Sequence, residues 1–279
     1  MAMQYSNRRI TTAVVVGLLI VAAVSAVYVF SAQLGEEAVR MSIDIAVILG
    51  ASACAVLCFI LWRASGTRER LRKVWAFLGL GMALWTVAEV IFAFYELILN
   101  QDTPTISLAD ITWVAGYVPI FVALWLRFRL LRVSLQPTEW ITLLAAFVIL
   151  AMLSVTYVIT PNLPTAEAMP EATSGFVNIA ALALSVFYPL GDLLMALGAG
   201  LTIVGMMGGS ISRMWLLVGL GCLAIGLADS TYYVGLANGM YTSQPPMNWF
   251  TGISDISYLV GYLMIALGLF GQASVQHAL

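Results

Sequence analysis

Charged residues are scarce in this sequence. Only 9% of its 279 residues are Asp, Glu, Lys or Arg, whereas a typical soluble domain carries about 25%. Hydrophobic residues make up 62% of the chain, and the mean hydropathy is +0.97. This composition excludes an ordinary soluble protein and predicts an integral membrane protein.

Several residue types that carry chemistry inside membranes are also missing from the apolar stretches. No lysine lies within them, which excludes a retinal Schiff base, and the single histidine, His277, lies in the C-terminal tail. Haem or zinc ligation by histidine inside the membrane is therefore excluded. The cysteines at 54, 58 and 222 fall within apolar runs and act there as small apolar residues, not as a disulfide framework.

Soluble-type motifs are missing as well. The sequence has no Ser/His/Asp set, no glycine-rich phosphate loop and no basic groove for nucleic acid. No particular cofactor is indicated. Any chemistry would therefore use carboxylate, tyrosine, serine and threonine side chains alone, and this favours a protein that is not an enzyme.

Long apolar runs recur along the chain. Each is long enough to cross a hydrocarbon core of about 30 Å, and each should be helical because lipid offers no partner for unpaired backbone groups. The sequence therefore predicts an all-α membrane protein with eight transmembrane helices, at residues 10–31, 41–62, 74–98, 107–126, 139–160, 176–208, 214–237 and 248–271.

The sixth run, 176–208, is too long for one crossing. As a single helix it would extend about 50 Å. Pro189 lies near its middle, and proline removes a backbone donor and kinks a helix interior. We therefore expect helix six to be broken near Pro189, which places Asp192 near the start of the crossing part.

The basic residues predict the orientation. Eleven of the twelve precede helix one or lie in or beside connections on one face, which the positive-inside bias assigns to the cytoplasm. Only Arg40 breaks the pattern. Both termini are therefore expected in the cytoplasm, with the protein in the cell membrane. The basic connection at 63–73 is expected to contact anionic lipid headgroups.

The second half of the chain repeats a pattern of the first half. Glu89 follows a Gly-Leu-Gly triplet, and Asp229 follows the same triplet 140 residues later. Each acid lies deep in a predicted helix that contains no basic residue. A buried acid is costly in a bilayer and marks a functional site by default. The structural alternative is a neutral carboxyl group bonded to a neighbouring helix.

A second pair of acids continues the repeat at an offset of 145 residues. Asp110 and Asp255 are each followed by an aromatic residue at the third position and by Gly-Tyr at the sixth and seventh. Both acids also have a structural explanation at a helix start. Asp110 fits a capping box with Ser107, and Gly252 offers Asp255 the corresponding position.

These matches predict two parallel four-helix pseudo-repeats, residues 1–134 and 135–279, within one membrane domain. If the halves pack about a twofold axis along the membrane normal, Glu89 and Asp229 face each other or a shared cavity. Asp44 is then the rough counterpart of Asp192. It lies four residues after Arg40, a spacing that allows an ion pair on one side of a helix.

Three blocks resemble the multi-helix membrane input regions of bacterial and archaeal signalling proteins. They are Ser107–Trp113 with Gly116-Tyr117, Tyr188–Asp192, and Ile253–Tyr258 with Gly261-Tyr262. The resemblance covers the chain from Trp75 onward. Those regions precede diguanylate-cyclase, phosphodiesterase or histidine-kinase domains, and no such domain follows helix eight here. The resemblance therefore implies a sensor that acts through a signalling partner protein.

The leading hypothesis is a sensing or ligand-binding module with a carboxylate-lined cavity open to the outer face. The acids would bind a cation, a cationic or hydroxyl-rich ligand, or protons, and Glu89 and Asp229 are the candidates for holding a metal ion. The signal would pass as a shift between the halves. The predicted ligand-binding residues are Glu89, Asp110, Asp192, Asp229, Asp255, Tyr117, Tyr188, Tyr258 and Tyr262.

Three alternatives remain open at this stage. The same acids would suit a small cation- or proton-linked transporter or channel, although no acid lies deep in the inner half of a span. The run Gly191–Leu194 is similar to a Gly-Asp pair of lysoplasmalogenase-type membrane hydrolases, which keeps a carboxylate-dependent lipid hydrolase open. Lastly, the chain would fit an accessory subunit of a larger membrane complex. Membrane lipids are expected partners in every case.

Overall fold

The computed structural model describes residues 2–101, 104, 106–131, 135–163, 175–206, 212–242 and 244–276. His277 lies outside these residues. Across the described ranges the chain is helical apart from its short connections and contains no strand. Eight of the helices are long and apolar enough to cross a membrane. The protein is therefore an all-helical, multi-pass membrane protein.

The helices follow the predicted apolar runs closely. They are α1 Ala2–Val29, α2 Glu36–Ala64, α3 Glu69–Ala93, α4 Leu108–Leu131, α5 Pro137–Leu153, α6 Gly175–Met206, α7 Ser212–Ala237 and α8 Trp249–Val275. A short helix, Ser31–Leu34, joins α1 to α2. A π-helical turn, Phe94–Ile98, extends α3, and another, Ser154–Ile159, extends α5 before a last helical turn at Thr160–Asn162.

Local sequence explains where two of these helices begin. At α5, Gln136 and Glu139 form a reciprocal capping box, and Pro137 occupies the first turn, where its missing N–H is not needed. At α8, the Asn248 side chain accepts a hydrogen bond from the Thr251 backbone N–H at 2.8 Å. Both caps satisfy backbone donors that a helix start leaves unpaired.

Helix α6 is continuous through Pro189, so the predicted break at this residue is wrong. Pro119 likewise lies inside the continuous helix α4. In membrane helices, neighbouring helices and small local adjustments compensate for the backbone bond that proline removes. Tyr188, beside Pro189, shows such a restraint, since its side chain is buried and hydrogen-bonded to Asp110 on α4.

Glycines allow two helix pairs, α3 with α4 and α7 with α8, to pack closely. A Cβ atom on Gly81 of α3 would lie 3.0 Å from the Gly116 carbonyl oxygen of α4. On α7, a Cβ atom on Gly221 would lie 2.6 Å from the Gly261 carbonyl oxygen of α8. Small residues at membrane helix contacts permit this backbone approach. These two pairs form the most extensive helix contacts in the described chain.

The remaining helices surround these two pairs unequally. Helix α2 packs against α3 and α8, and α6 packs against α7 and α4. Trp75 of α3 stacks on Trp215 of α7 with ring centroids 5.1 Å apart, and both rings are buried. Helices α1 and α5 lie at the periphery, since only 11% of the most apolar 18-residue stretch of each is buried.

We call the end of the bundle that carries residues 29–36, 98–101, 106–108, 237–242 and 244–249 the site end. The connections there join α1 to α2, α3 to α4 and α7 to α8. Asn162, at the end of the α5 segment, also reaches it, because its side-chain amide donates to the Tyr233 carbonyl oxygen at 3.0 Å.

Candidate functional site

Every predicted acid accepts a hydrogen bond from a tyrosine hydroxyl group at the site end. The pairs are Tyr262 with Glu89 at 2.9 Å, Tyr188 with Asp110 at 2.6 Å, Tyr117 with Asp192 at 2.7 Å, Tyr258 with Asp229, and Tyr28 with Asp255 at 2.6 Å. Four of these donors are the predicted tyrosines. The predicted acids and tyrosines therefore meet across five helices, and Tyr28 of α1 adds a sixth.

Tyr117 joins two acids from different helices. Its hydroxyl lies 2.7 Å from Asp192 Oδ1 on α6 and 3.2 Å from Asp229 Oδ2 on α7. Gly191 makes room for the tyrosine, since a Cβ atom there would lie 2.9 Å from the Tyr117 ring. The glycine next to Asp192 thus places α6 close enough for this shared bond.

Glu89 is held by two aromatic donors. The Tyr262 hydroxyl on α8 donates to Glu89 Oε1 at 2.9 Å, and the Trp113 indole on α4 donates to the same oxygen at 3.2 Å. Trp85 fixes this arrangement, since its indole N–H donates to the Trp113 carbonyl oxygen at 3.0 Å. The Trp85 ring also contacts the edges of Tyr117 and Tyr262. Trp85 therefore lies between the two tyrosines that hold the deep acids.

One face of α8 reaches both deep acids. Tyr258 and Tyr262 are four residues apart and so lie one above the other on the helix. Tyr258 donates to Asp229 on α7, while Tyr262 donates to Glu89 on α3. Glu89 and Asp229 are thus bonded to two tyrosines that lie one turn apart on the same helix.

Asp110 occupies the position that the capping box predicts. Its Oδ2 accepts the Ser107 backbone N–H at 2.7 Å and the Ser107 hydroxyl at 3.1 Å. Its other oxygen, Oδ1, accepts the Tyr188 hydroxyl of α6. The same carboxylate therefore holds the start of α4 and ties it to α6.

Asp255 is not a capping residue, contrary to the expectation from Gly252. Helix α8 begins at Trp249 with Asn248 as its cap, so Asp255 lies well inside the helix. It accepts hydrogen bonds from Tyr28 at 2.6 Å and from Tyr241 at 3.0 Å. Asn248 caps the helix instead, because its backbone is non-helical just before the first turn and its side chain accepts a hydrogen bond there, whereas Gly252 is already helical.

Tyr241 lies in the connection between α7 and α8. Burial raises the pKa of its hydroxyl well above the usual value, and the neighbouring Asp255 carboxylate raises it further. The group therefore stays protonated and remains a donor to Asp255 across the ordinary pH range.

A further group of charges surrounds Asp44 on α2. Asp44 is only 8% exposed, and its Oδ2 has no hydrogen-bond partner among the described residues. Arg40, one turn earlier, forms ion pairs with Glu36 at 2.6 Å and with Glu96 at 4.0 Å. Asp44 interacts electrostatically with Glu96 and Arg40 and also with Glu89 and Asp255.

Sequence reasoning missed several of these residues. Tyr28 and Tyr241 lie outside the matched blocks, and no local pattern marks them as partners of Asp255. Glu96 did carry a signal, because it lies seven residues, or about two helical turns, beyond Glu89. The indole donors Trp85 and Trp113 could be found only from the packing of α3 against α4.

The acids differ in how exposed they are. Asp44 and Asp192 are buried at 8% and 7% exposure, whereas Glu89, Asp110, Asp229 and Asp255 keep intermediate accessibility. No group of three or more His, Cys, Asp or Glu residues is placed to hold a metal ion in the part of the chain that the structure describes. Glu89 and Asp229 therefore belong to no such group there.

The fold and this cluster define an all-helical membrane protein with an intramembrane network of carboxyl and tyrosine side chains. Comparison of the chain with family models, with curated proteins and with solved structures finds no match. The function therefore has to be argued from the geometry of the cluster.

Proposed function

We propose that this protein is a membrane sensing module that binds a cationic ligand or protons at the carboxyl and tyrosine network of its site end. The observation that carries the proposal is the single Tyr117 hydroxyl shared by Asp192 and Asp229. Neither acid forms an ion pair with a described residue. Two adjacent carboxylates repel each other strongly in a low-dielectric interior, so this pair gains free energy from any positive charge that it takes up.

Partial accessibility supports a binding role over a purely structural one. Asp229 and Glu89 retain intermediate accessibility although helices surround them. A tyrosine hydroxyl group can rotate to donate its hydrogen bond to a ligand oxygen. The carboxylate that it leaves is then able to bind a cation. The cluster would thus form the wall of a cavity that is open at the site end.

The contacts favour an arrangement of two parallel four-helix pseudo-repeats. Tyr117 and Tyr262 occupy matching positions, as do Glu89 and Asp229. Tyr117 donates to Asp229 in the other half, and Tyr262 donates to Glu89 in the other half. The glycine contacts of α3 with α4 and of α7 with α8 match in the same way.

This crossed pair of hydrogen bonds offers a route for a signal. A positive charge at Asp229 weakens its hold on the Tyr117 hydroxyl, because the cation then competes for the carboxyl oxygens. The bond between the halves changes, and the halves can shift relative to each other. A signalling partner protein, or a larger membrane complex, would read that shift.

We further propose that the site end faces the outside of the cell membrane and that both termini are cytoplasmic. Arg63, Arg68 and Arg213 lie at the opposite end of the bundle, as the positive-inside bias requires of a cytoplasmic face. Arg72 lies over the Trp62 ring at 4.3 Å, a place from which it can also reach lipid headgroups.

Sensing is preferred to transport because of where the acids lie. A transporter needs a polar route to the opposite end. Glu89, Asp110, Asp229 and Asp255 lie in the site-end halves of their helices, and Asp192 lies near the middle of α6. The stacked Trp75 and Trp215 lie toward the other end. A carboxylate-dependent hydrolase or an accessory subunit finds no specific support in the geometry.

The test is the thermal stability of the purified protein across pH and across added Na⁺, Ca²⁺, Mg²⁺ and Mn²⁺. A ligand that binds only the folded form raises stability by mass action. Wild type should respond to pH or to a cation, and Asp229→Asn should lose that response. Glu37→Gln is the matched control, because Glu37 is an exposed carboxylate of α2 near the same end. Equal responses in wild type and Asp229→Asn would contradict the proposal.

A further inference from the structure

Asp44 is a buried acceptor that lacks a donor. It is 8% exposed, and its Oδ2 has no hydrogen-bond partner among the residues that the structure describes. Most buried polar side-chain atoms in proteins have at least one partner, and an unsatisfied buried carboxylate is costly. Asp44 is therefore suited to accept a hydrogen bond from a molecule outside this chain.

The surroundings of Asp44 are rich in negative charge. Glu96, Glu89 and Asp255 interact with it electrostatically, and Arg40 is the basic residue that does so. The Arg40 guanidinium is already engaged by Glu36 at 2.6 Å and by Glu96 at 4.0 Å. The group thus has more carboxyl groups than its guanidinium can neutralise, so a donor to Asp44 should be a cation.

The chemistry of the group favours an ammonium ion over a metal ion. A hard divalent cation takes at least six oxygen ligands, but both Asp255 oxygens already accept hydroxyl groups, from Tyr28 and from Tyr241. No metal-holding group of three acids is present in the described chain. An ammonium group needs fewer ligands, since it donates individual N–H bonds. Aromatic rings such as those of Tyr28 and Tyr241 also attract it.

We propose that Asp44 is the acceptor of a subsite for a primary ammonium group at the site end, with Glu96 and Asp255 as nearby charges. Asp44 Oδ2 accepts one N–H bond, and the neighbouring carboxylates balance the charge. The ammonium group belongs either to a free amine or to the headgroup of a phosphatidylethanolamine lipid. The subsite rests on the proposed function in that it gives the binding module a ligand class, but it uses different acids from the Asp192 and Asp229 pair.

The experiment compares ethanolamine with choline, which differ only in three N-methyl groups. The full chain is placed in phosphatidylcholine nanodiscs, and each compound is titrated while the unfolding temperature is measured. Ethanolamine should raise the unfolding temperature and bind at least about tenfold more tightly than choline, because choline has no N–H to donate to Asp44. Equal binding of the two compounds would overturn the proposal. So would the absence of any response to both ethanolamine and phosphatidylethanolamine.

Variants locate the effect. Asp44→Asn should abolish the response to ethanolamine, and Glu37→Gln should keep it. If Asp44→Asn fails to fold, Asp44→Glu is used instead, which keeps the charge but moves it and should weaken binding. An unchanged response in a folded Asp44 variant would place the amine elsewhere and overturn the assignment.

Two further arms separate the sources and the two proposals. Replacing phosphatidylcholine by phosphatidylethanolamine tests the lipid source, and should stabilise wild type but not the Asp44 variant if the headgroup is the ligand. Asp229→Asn tests independence, and should keep the response to ethanolamine while losing the response to pH or inorganic cations. If wild type responds to pH or inorganic cations but not to ethanolamine, the subsite is refuted and the proposed function still stands.

Discussion

The hydroxyl group of Tyr262 lies 2.9 Å from Oε1 of Glu89, and this contact joins α8 to α3 across 173 residues of sequence. Tyr117 makes the reciprocal contact with Asp229, at 3.2 Å. Each deep acid of one predicted half is thus bonded to a tyrosine of the other.

Removing either hydroxyl should destabilise the protein. A hydrogen bond to a charged group contributes about 1.5–3 kcal/mol, so Tyr262→Phe and Tyr117→Phe should each lower the free energy of unfolding by that order. Tyr157→Phe is the control, because Tyr157 is 57% exposed on the peripheral α5 segment. Reversible unfolding in mixed micelles measures all three. The roles given to the two hydroxyls are wrong if both variants match Tyr157→Phe.

The glycine contact between α7 and α8 should not tolerate a methyl group. In Gly221→Ala the new Cβ would lie 2.6 Å from the Gly261 carbonyl oxygen, and overpacking of this kind costs about 1–3 kcal/mol. Gly17→Ala is the matched control. Its Cβ would lie 3.8 Å from Leu267, so this variant should gain up to about 1 kcal/mol from helix propensity. Similar unfolding temperatures for the two variants would argue against the close packing of α7 and α8.

Tyr241 should make the protein less stable in alkali. Its pKa in the folded protein lies well above the usual value, so above about pH 10 the unfolded chain releases this proton and the folded chain keeps it. Unfolding is then favoured as pH rises, by up to about 1.4 kcal/mol per pH unit. Tyr241→Phe lacks this contribution, so its stability difference from wild type should shrink above pH 10. A constant difference across pH 9 to 11 would contradict the assignment.

The proposed orientation predicts which end a membrane-impermeant thiol reagent reaches in intact cells. Gln101→Cys and Thr67→Cys both place a thiol at an exposed position, at the site end and at the opposite end respectively. The native cysteines are buried and should stay unlabelled. Labelling of Gln101→Cys alone is expected. Labelling of Thr67→Cys alone would reverse the orientation.

Local sequence predicts the helices of this protein well because the bilayer sets their length. The apolar runs coincide with the eight long helices to within a few residues at most ends. The exceptions have local causes. The break at Pro189 did not occur because neighbouring helices hold α6 together, and Asp255 is not a capping residue because Asn248 caps α8.

The acids of the site could be predicted from the sequence, whereas some of their partners could not. A carboxylate in an apolar run can be recognised as a candidate because burying it in a bilayer costs free energy, as at Glu89 and Asp229. A partner such as Tyr28, which is 227 residues away from Asp255, depends on which helices become neighbours. Packing between segments that are distant in sequence determines which helices become neighbours, and local sequence patterns do not predict it.

The peripheral position of α1 and α5 has a mechanical consequence. Lipid chains form most of the surroundings of these two helices, so bilayer thickness and lateral tension act on them first. Both helices are tied to the site end, α1 through Tyr28 and Asp255 and α5 through Asn162 and the Tyr233 carbonyl group. We therefore expect strain in the lipid to reach the acid cluster through these two helices. Comparing the pH response of the protein in short-chain and long-chain nanodiscs would measure this mechanical coupling, and an identical response in both would exclude it.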